Sequence, residues 1–264
     1  MTAPAIPPQG TPKRDDSDLR IEVIDSAEDV VAGFDCVCEA FGRQTRDGIW
    51  IAMNPGWDTA EGKAACAARM ADRWRAVTRD RNGDANTVFL KATVPAAGGR
   101  RAIVGLAIWV QASAVAGHGD RPAEDLRESL DLEALYPGDA AEQRYLCQLD
   151  GALHARRIEV VKEKASASPA AAMVLDLAAV DPAFQGRGIA RRLVQWGLDE
   201  ARRRGGLEAI TEASTMGRRV YEKMGFRQEG PEIEYVVDAE FANRDRPSNI
   251  FMRTQGSTVG PAAP

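Results

Sequence analysis

The 264-residue chain is poor in the residues that build disulfide and metal scaffolds, with four cysteines and two histidines. Cys36, Cys38, Cys66 and Cys147 form no CxxC pair, and with His118 and His154 they make no cluster of zinc-ligand spacing. That excludes a disulfide-stapled secreted domain and a zinc module, and it points to a reducing compartment, here read as the cytoplasm. No apolar stretch approaches the ~20 residues of a membrane span, so no membrane partner is expected. Positive charge is not in excess either: 34 Lys and Arg stand against 39 Asp and Glu for a net charge of −5, which argues against a nucleic-acid partner. No internal repeat is visible. The Pro-rich stretch 1–17 has neither an apolar signal core nor an Arg-rich amphipathic pattern; it predicts a disordered tail, as does 255–264.

What is present is an ordinary globular composition, 44% hydrophobic and 28% charged, of a length that suits one decorated domain. Leu19 to Ile24 alternates apolar and polar residues as a half-buried strand does, and Asp25 or Ser26 can cap a helix carrying Val30, Val31, Phe34, Val37, Cys38 and Phe41. Gly42 to Trp57 reads as irregular and leads to a second helix from about Thr59 to Arg79, stopped by Asn82-Gly83-Asp84. Thr87 to Val94 and Ala102 to Val110 predict a hairpin. From Gly117 to Ser168 the composition turns charged and Ala-rich, with Arg121-Pro122-Ala123-Glu124 as a helix start and Pro137-Gly138-Asp139 as a break; this predicts a helical insertion. Ala172 to Val180 is an apolar run interrupted only by Asp176, hence a buried central strand. A helix from Gly188 to Arg204, a strand from Leu207 to Ala213, a short helix to Met224 and terminal strands complete a single α/β domain over 18–254.

The segment Val180-Asp181-Pro182-Ala183-Phe184-Gln185-Gly186-Arg187-Gly188-Ile189-Ala190 places a glycine-containing loop between that strand and a helix N-terminus. Free backbone amides and the positive end of the helix dipole suit such a turn to a diphosphate, and Gly188 permits close approach. A Walker A loop is absent, since no GxxxxGK precedes a Ser or Thr. A dinucleotide fingerprint needs a third glycine where Arg191 stands, and four residues, Asp181 to Phe184, separate strand from loop. Glu212 at the next strand's end keeps that alternative open.

Gln185-Gly186-Arg187-Gly188-Ile189-Ala190 resembles the Q/R-x-x-G-x-G/A acetyl-CoA signature of the GCN5-related N-acetyltransferase (GNAT) superfamily. Val-Asp-Pro-x-Phe-Gln before it and Val220-Tyr221-Glu222-Lys223-Met224-Gly225-Phe226 after it resemble the superfamily's strand-to-loop lead and its C-terminal Tyr-Glu-x-x-Gly-Phe motif. Glu212-Ala213-Ser214 resembles a fungal subset. The resemblance runs clearly from Met173 to Phe226 and does not extend to the insertion. It implies a mixed, splayed sheet flanked by helices, with acetyl-CoA as cosubstrate wedged between the strands Met173 to Val180 and Leu207 to Ala213. The pyrophosphate would lie on the amides of Gly186, Arg187, Gly188, Ile189 and Ala190. Gln185 belongs to the same signature, and the backbone of Ala178 and Val180 would pair with the pantetheine arm. Ser214 falls where the family contacts the cofactor, or it is a helix N-cap. Tyr221 falls where the family's tyrosine lies near the cofactor sulfur.

Direct transfer to an amine needs a base for the ammonium proton and an acid for the departing thiolate. Tyr221 is the candidate acid. Asp176, alone among apolar residues, is the candidate base, on the expectation that burial raises its pKa; Glu212 is the runner-up. Trp50, Trp57 and Trp109 are candidates to line an acceptor pocket or fill the core, His118 and His154 read as surface residues, and Arg202 to Arg204 as a solvated helix face. No metal is expected. The chain is expected to be an N-acetyltransferase acting on a small-molecule primary amine, as a monomer or homodimer. A protein or peptide lysine or N-terminal acetyltransferase is the second reading, and a non-catalytic CoA-binding regulatory module the third.

Overall fold

The computed structural model describes residues 18–254, so the tails expected over 1–17 and 255–264 lie outside the described residues. Seven strands form one sheet in the order β1-β2-β3-β4-β5-β7-β6. They are β1 (Arg20–Val23), β2 (Thr87–Pro95), β3 (Arg101–Ala112), β4 (Ala172–Val180), β5 (Glu208–Ser214), β6 (Phe226–Glu232) and β7 (Asn249–Thr254). All neighbours are antiparallel except β4 and β5, which are joined by a helical crossover and therefore run parallel. The sheet is thus mixed, as expected.

Helices cover both faces. On one, α1 (Ala27–Val37) and α3 (Ala60–Arg75) bury Phe34, Val37 and Ala67 against Phe89, Leu106 and Ile108. On the other, α6 (Ile189–Arg203) buries Leu193 and Val194 against Trp109, Met173 and Leu175. Neighbouring residues of β3 and β4 thus serve opposite cores, which is the strand period of two at work. Ser26 caps α1 by accepting from the Asp29 amide at 3.2 Å.

Three local expectations are corrected. The stretch expected to be irregular continues α1 as a π-helical segment, Cys38–Gln44, and then forms α2 (Gly48–Met53). Asp47 starts α2: its carboxylate accepts from the Ile49 and Trp50 amides, so a short apolar segment acquires a satisfied N-terminus. The second helix stops at Arg75 rather than Arg79, where the chain turns into a bridge from Arg79 to Ala85. In the charged segment no helix begins at Arg121-Pro122-Ala123-Glu124. The helices start where Asp131 and Asp139 cap them, giving α4 (Leu132–Leu135) and α5 (Ala140–Glu163). Nor is α5 mere decoration, because Val160 and Val161 bury against Ala172, Val174, Ile210 and Phe251 of the sheet.

Two features of the sheet shape its centre. Parallel pairing of β4 with β5 covers only three rungs, from Ala172↔Glu208 to Val174↔Ile210. Against β3, Leu175 pairs with Trp109 and Leu177 with Ile108, so Asp176 is the extra residue of a bulge that bends β4 away from β5. The remaining strand, α7 (Arg218–Lys223) and β6 follow on the far side of the opening.

The seating of α6 depends on a missing side chain. A Cβ on Gly197 would stand 1.9 Å from Cε2 of the fully buried Trp109, whose Nε1 donates to the Leu193 carbonyl at 3.3 Å. Gly197→Ala is expected to destabilise the fold by at least ~1 kcal/mol net, because overpacking outweighs the gain in helix propensity. Urea denaturation monitored by tryptophan fluorescence measures it.

Candidate active site

Where β4 and β5 part, a cleft of about 380 Å³ opens, within the size range of small-molecule sites. Its floor is the free edge of β4. The Asp181 amide bonds to the Val104 carbonyl of β3, so by the alternation of a strand the backbone groups of Ala178 and Val180 turn toward the opening. The small side chains of Ala178 and Ala179 leave this edge uncovered.

One end of the cleft is the start of α6. Gly188 is its N-cap, with φ of 76° and no side-chain cap. The Arg192 amide is the first to bond back, to the Gly188 carbonyl, which leaves the amides of Ile189, Ala190 and Arg191 without intrahelical partners. Gly186 is also left-handed, and a Cβ on either glycine would meet nothing within 4 Å. Glycine is required there by backbone angle and by the need to keep the amides approachable. Bare amides at a helix start, two left-handed glycines and an unpaired strand edge fit the pyrophosphate and pantetheine arm of acetyl-CoA.

The remaining cofactor candidates divide. Gln185 lines the cleft, its Nε2 donating to the Val180 carbonyl at 3.1 Å, and its amide exchanges a reciprocal pair of hydrogen bonds with Gln44. Ser214 lines the cleft and is no N-cap, since α7 is capped by Gly217 without a side chain. Arg187 turns away: its guanidinium lies over the Phe184 ring at 4.9 Å. Tyr221, wedged against Gly217 and beside Phe226, forms part of the wall, and burial pushes its hydroxyl up to about 12. Among the described residues that hydroxyl has no protein hydrogen-bond partner.

Asp176 and Glu212 are brought together, but by an arginine. Arg157 of α5 donates from Nη1 to Asp176 at 2.6 Å, and from Nε and Nη2 to both oxygens of Glu212. Arg73 of α3 takes the other Asp176 oxygen at 2.8 Å. Desolvation alone would raise Asp176, as expected; the charges of Arg73 and Arg157 outweigh it and hold the carboxyl well below the usual range. Glu212 is no exposed strand-end residue, its side chain being 3% exposed. Each oxygen of both carboxylates already accepts from an arginine, so neither is free of a cationic partner.

A different carboxylate lines the cleft. Asp47 uses Oδ1 to cap α2, while Oδ2 has no protein partner among the described residues. Desolvation pushes its carboxyl up despite the amides of Trp50 and Ile49. The sequence carried a signal for it, an N-cap residue before an apolar run, masked by the glycine and tryptophan around it. The other conspicuous residues are structural. Trp109 is core, Trp50 and Trp57 pack edge-on at 5.5 Å, and Arg204 is buried against Glu200 and Gln111. His118 is partly buried, and His154 pairs with Asp150 at 3.0 Å, facing Asp176.

Gly188→Glu is expected to abolish acetyl-CoA binding, since a side chain in the left-handed region costs ~1–2 kcal/mol and a negative charge would occupy the anion site. Isothermal titration against the wild type checks this.

Residues 159–235 match the family model of the acetyltransferase (GNAT) domain. No curated protein sequence matches the chain. Arylalkylamine N-acetyltransferase 2 from Aedes aegypti has a similar structure, with a TM-score of 0.57 at 17% identity over 90% of this chain and 99% of its own. Mosquito arylalkylamine N-acetyltransferase like 5b scores 0.56 at 13% identity, covering 89% and 99%. The Drosophila melanogaster polyamine N-acetyltransferase scores 0.53 at 14% identity, covering 89% and 98%. Residues 159–235 thus resemble the acetyltransferase (GNAT) domain, and the chain shares the fold of these solved N-acetyltransferases.

Proposed function

We propose that the protein is an acetyl-CoA-dependent N-acetyltransferase that passes the acetyl group directly to the primary amine of a small molecule, in the cytoplasm, as a monomer or homodimer. The observation that carries this reading is the convergence on one cleft of bare helix-start amides, a free strand edge, a protonated tyrosine and an uncommitted carboxylate oxygen. The neighbours of like fold are named for arylalkylamines and a polyamine, which supports a small amine as acceptor.

Acetyl-CoA supplies the thioester carbonyl as electrophile. The amides from Gly186 to Ala190 hold the pyrophosphate, Gln185 braces the loop, and an inward-facing amide at Ala178 or Val180 polarises the carbonyl as an oxyanion-type donor. Ser214 borders the pantetheine arm. Asp47 takes the ammonium proton through Oδ2, a task that its raised pKa favours. Tyr221, protonated at neutral pH, gives its proton to the departing sulfur. Asp176 and Glu212 are replaced in the base role because both are committed to ion pairs, Asp176 with Arg157 and Arg73 and Glu212 with Arg157.

Calorimetry with acetyl-CoA and then NAD, followed by thiol release across an amine panel, tests the reading. Binding of acetyl-CoA but not NAD, with amine-dependent release, is expected; release with peptides alone would make the acceptor a protein, binding without release a regulatory module, and no binding would overturn the reading. Tyr221→Phe is expected to leave acetyl-CoA affinity intact and to lower kcat by ~10²-fold. Asp47→Asn keeps an N-cap oxygen for α2, so the fold should hold while kcat/KM drops by a similar ~10²-fold. In the wild type kcat/KM should rise with pH through the Asp47 titration, at a midpoint above that of an ordinary carboxylate. That acid limb should vanish in the variant, as a pH–rate profile will show.

A further inference from the structure

The three parallel rungs between β4 and β5 end at Val174 and Ile210. Past that point two side-chain bonds take over. The Thr211 hydroxyl donates to the Leu175 carbonyl at 2.9 Å, in the place of a β5 amide. Two residues beyond the last rung on each strand stand Asp176, the bulge residue, and Glu212, and between them lies the guanidinium of Arg157, its side chain 11% exposed. One edge of the guanidinium meets Asp176 and two of its nitrogens meet Glu212. Two residues further along β4, Ala178 faces the cleft.

We propose that Arg157 is a positioning residue for acetyl transfer: by joining Asp176 to Glu212 just beyond the last backbone rung, it fixes the width of the cleft in which the cofactor's arm and the amine meet. The planar fork has fixed spacing, so it acts as a strut as well as a tie. Arg73, itself half exposed, anchors the outer oxygen of Asp176 to α3, so that two arginines balance two shielded carboxylates. Without Arg157, Glu212 would lose its only arginine among the described residues and stand beside Asp176, which keeps only Arg73, and the net negative charge would drive the strands apart. The inference rests on the acetyl-CoA reading for what the cleft holds, though not for what sets its width.

Two variants test it. Arg157→Lys keeps the charge and loses the fork. The combined Arg157→Met, Asp176→Asn, Glu212→Gln variant removes the ion pairs and leaves only Arg73, which is half exposed, without its carboxylate, so that folding is retained. Thermal melts establish folding, and hydrogen exchange, acetyl-CoA affinity and kinetics are then read. In both variants exchange over 175–180 and 211–214 should quicken by about tenfold or more while 104–108 of β3 stays unchanged. Acetyl-CoA affinity should fall, and kcat should drop by up to ~10²-fold, as expected of a misplacement near 1 Å, with a smaller change in the amine KM. Folded variants with wild-type exchange and kinetics overturn the proposal. If the wild type itself binds no acetyl-CoA, the functional reading fails, and the exchange measurement alone still decides the role of Arg157.

Discussion

Everything in this molecule turns on the point where two parallel strands stop pairing. A sheet that continued its ladder between β4 and β5 would be a closed, dry interior with no room for a ligand. The bulge at Asp176 ends the ladder after three rungs, and the polar groups released there must be satisfied by something other than backbone. Thr211 satisfies part of that demand at the Leu175 carbonyl, and Arg157 ties the side chains of the two strands just beyond it. The outer part, along Ala178 and Val180, is left for a ligand with its own amides. Catalytic machinery can then be arranged along the edge of a gap that the fold already has to stabilise.

The electrostatics divide the neighbourhood into two regimes. Around Arg157 opposite charges neutralise each other, which makes Asp176 a permanent anion and a poor proton acceptor. At Asp47 no cation among the described residues pairs with the carboxylate, and desolvation prevails over the two amides that it caps. Two acidic residues of similar intrinsic acidity are thus sent in opposite directions by what surrounds them.

Most of the scaffold was legible in the residues because its signals are local. Alternation over Leu19 to Ile24, the apolar run before Val180, and the paired glycines at 186 and 188 and at 205 and 206 each depend on backbone geometry within a few positions. The glycine loop before α6 could be read for the same reason. What escaped depends on partners distant in the chain. Asp176 stands out by its apolar surroundings, yet its ionisation is set by Arg73 and Arg157, on two different helices. Arg157 lies in a 24-residue helix with charge on several sides, where nothing separates a buried arginine from an exposed one. Asp47 sits in a stretch of glycine and tryptophan that hides a short helix.

The contact of Gly197 with Trp109 has a mechanical consequence for the anion site. From Gly197 to the cap at Gly188 the helix runs about 14 Å at 1.5 Å per residue. If α6 pivots on the indole by roughly 5°, its tip swings by about 1 Å over that length, a displacement that matters for bound substrates. The flat face of one buried tryptophan is therefore the fulcrum of a lever whose free end carries the unpaired amides of the helix start. The precision of the surface site is set in the middle of the core.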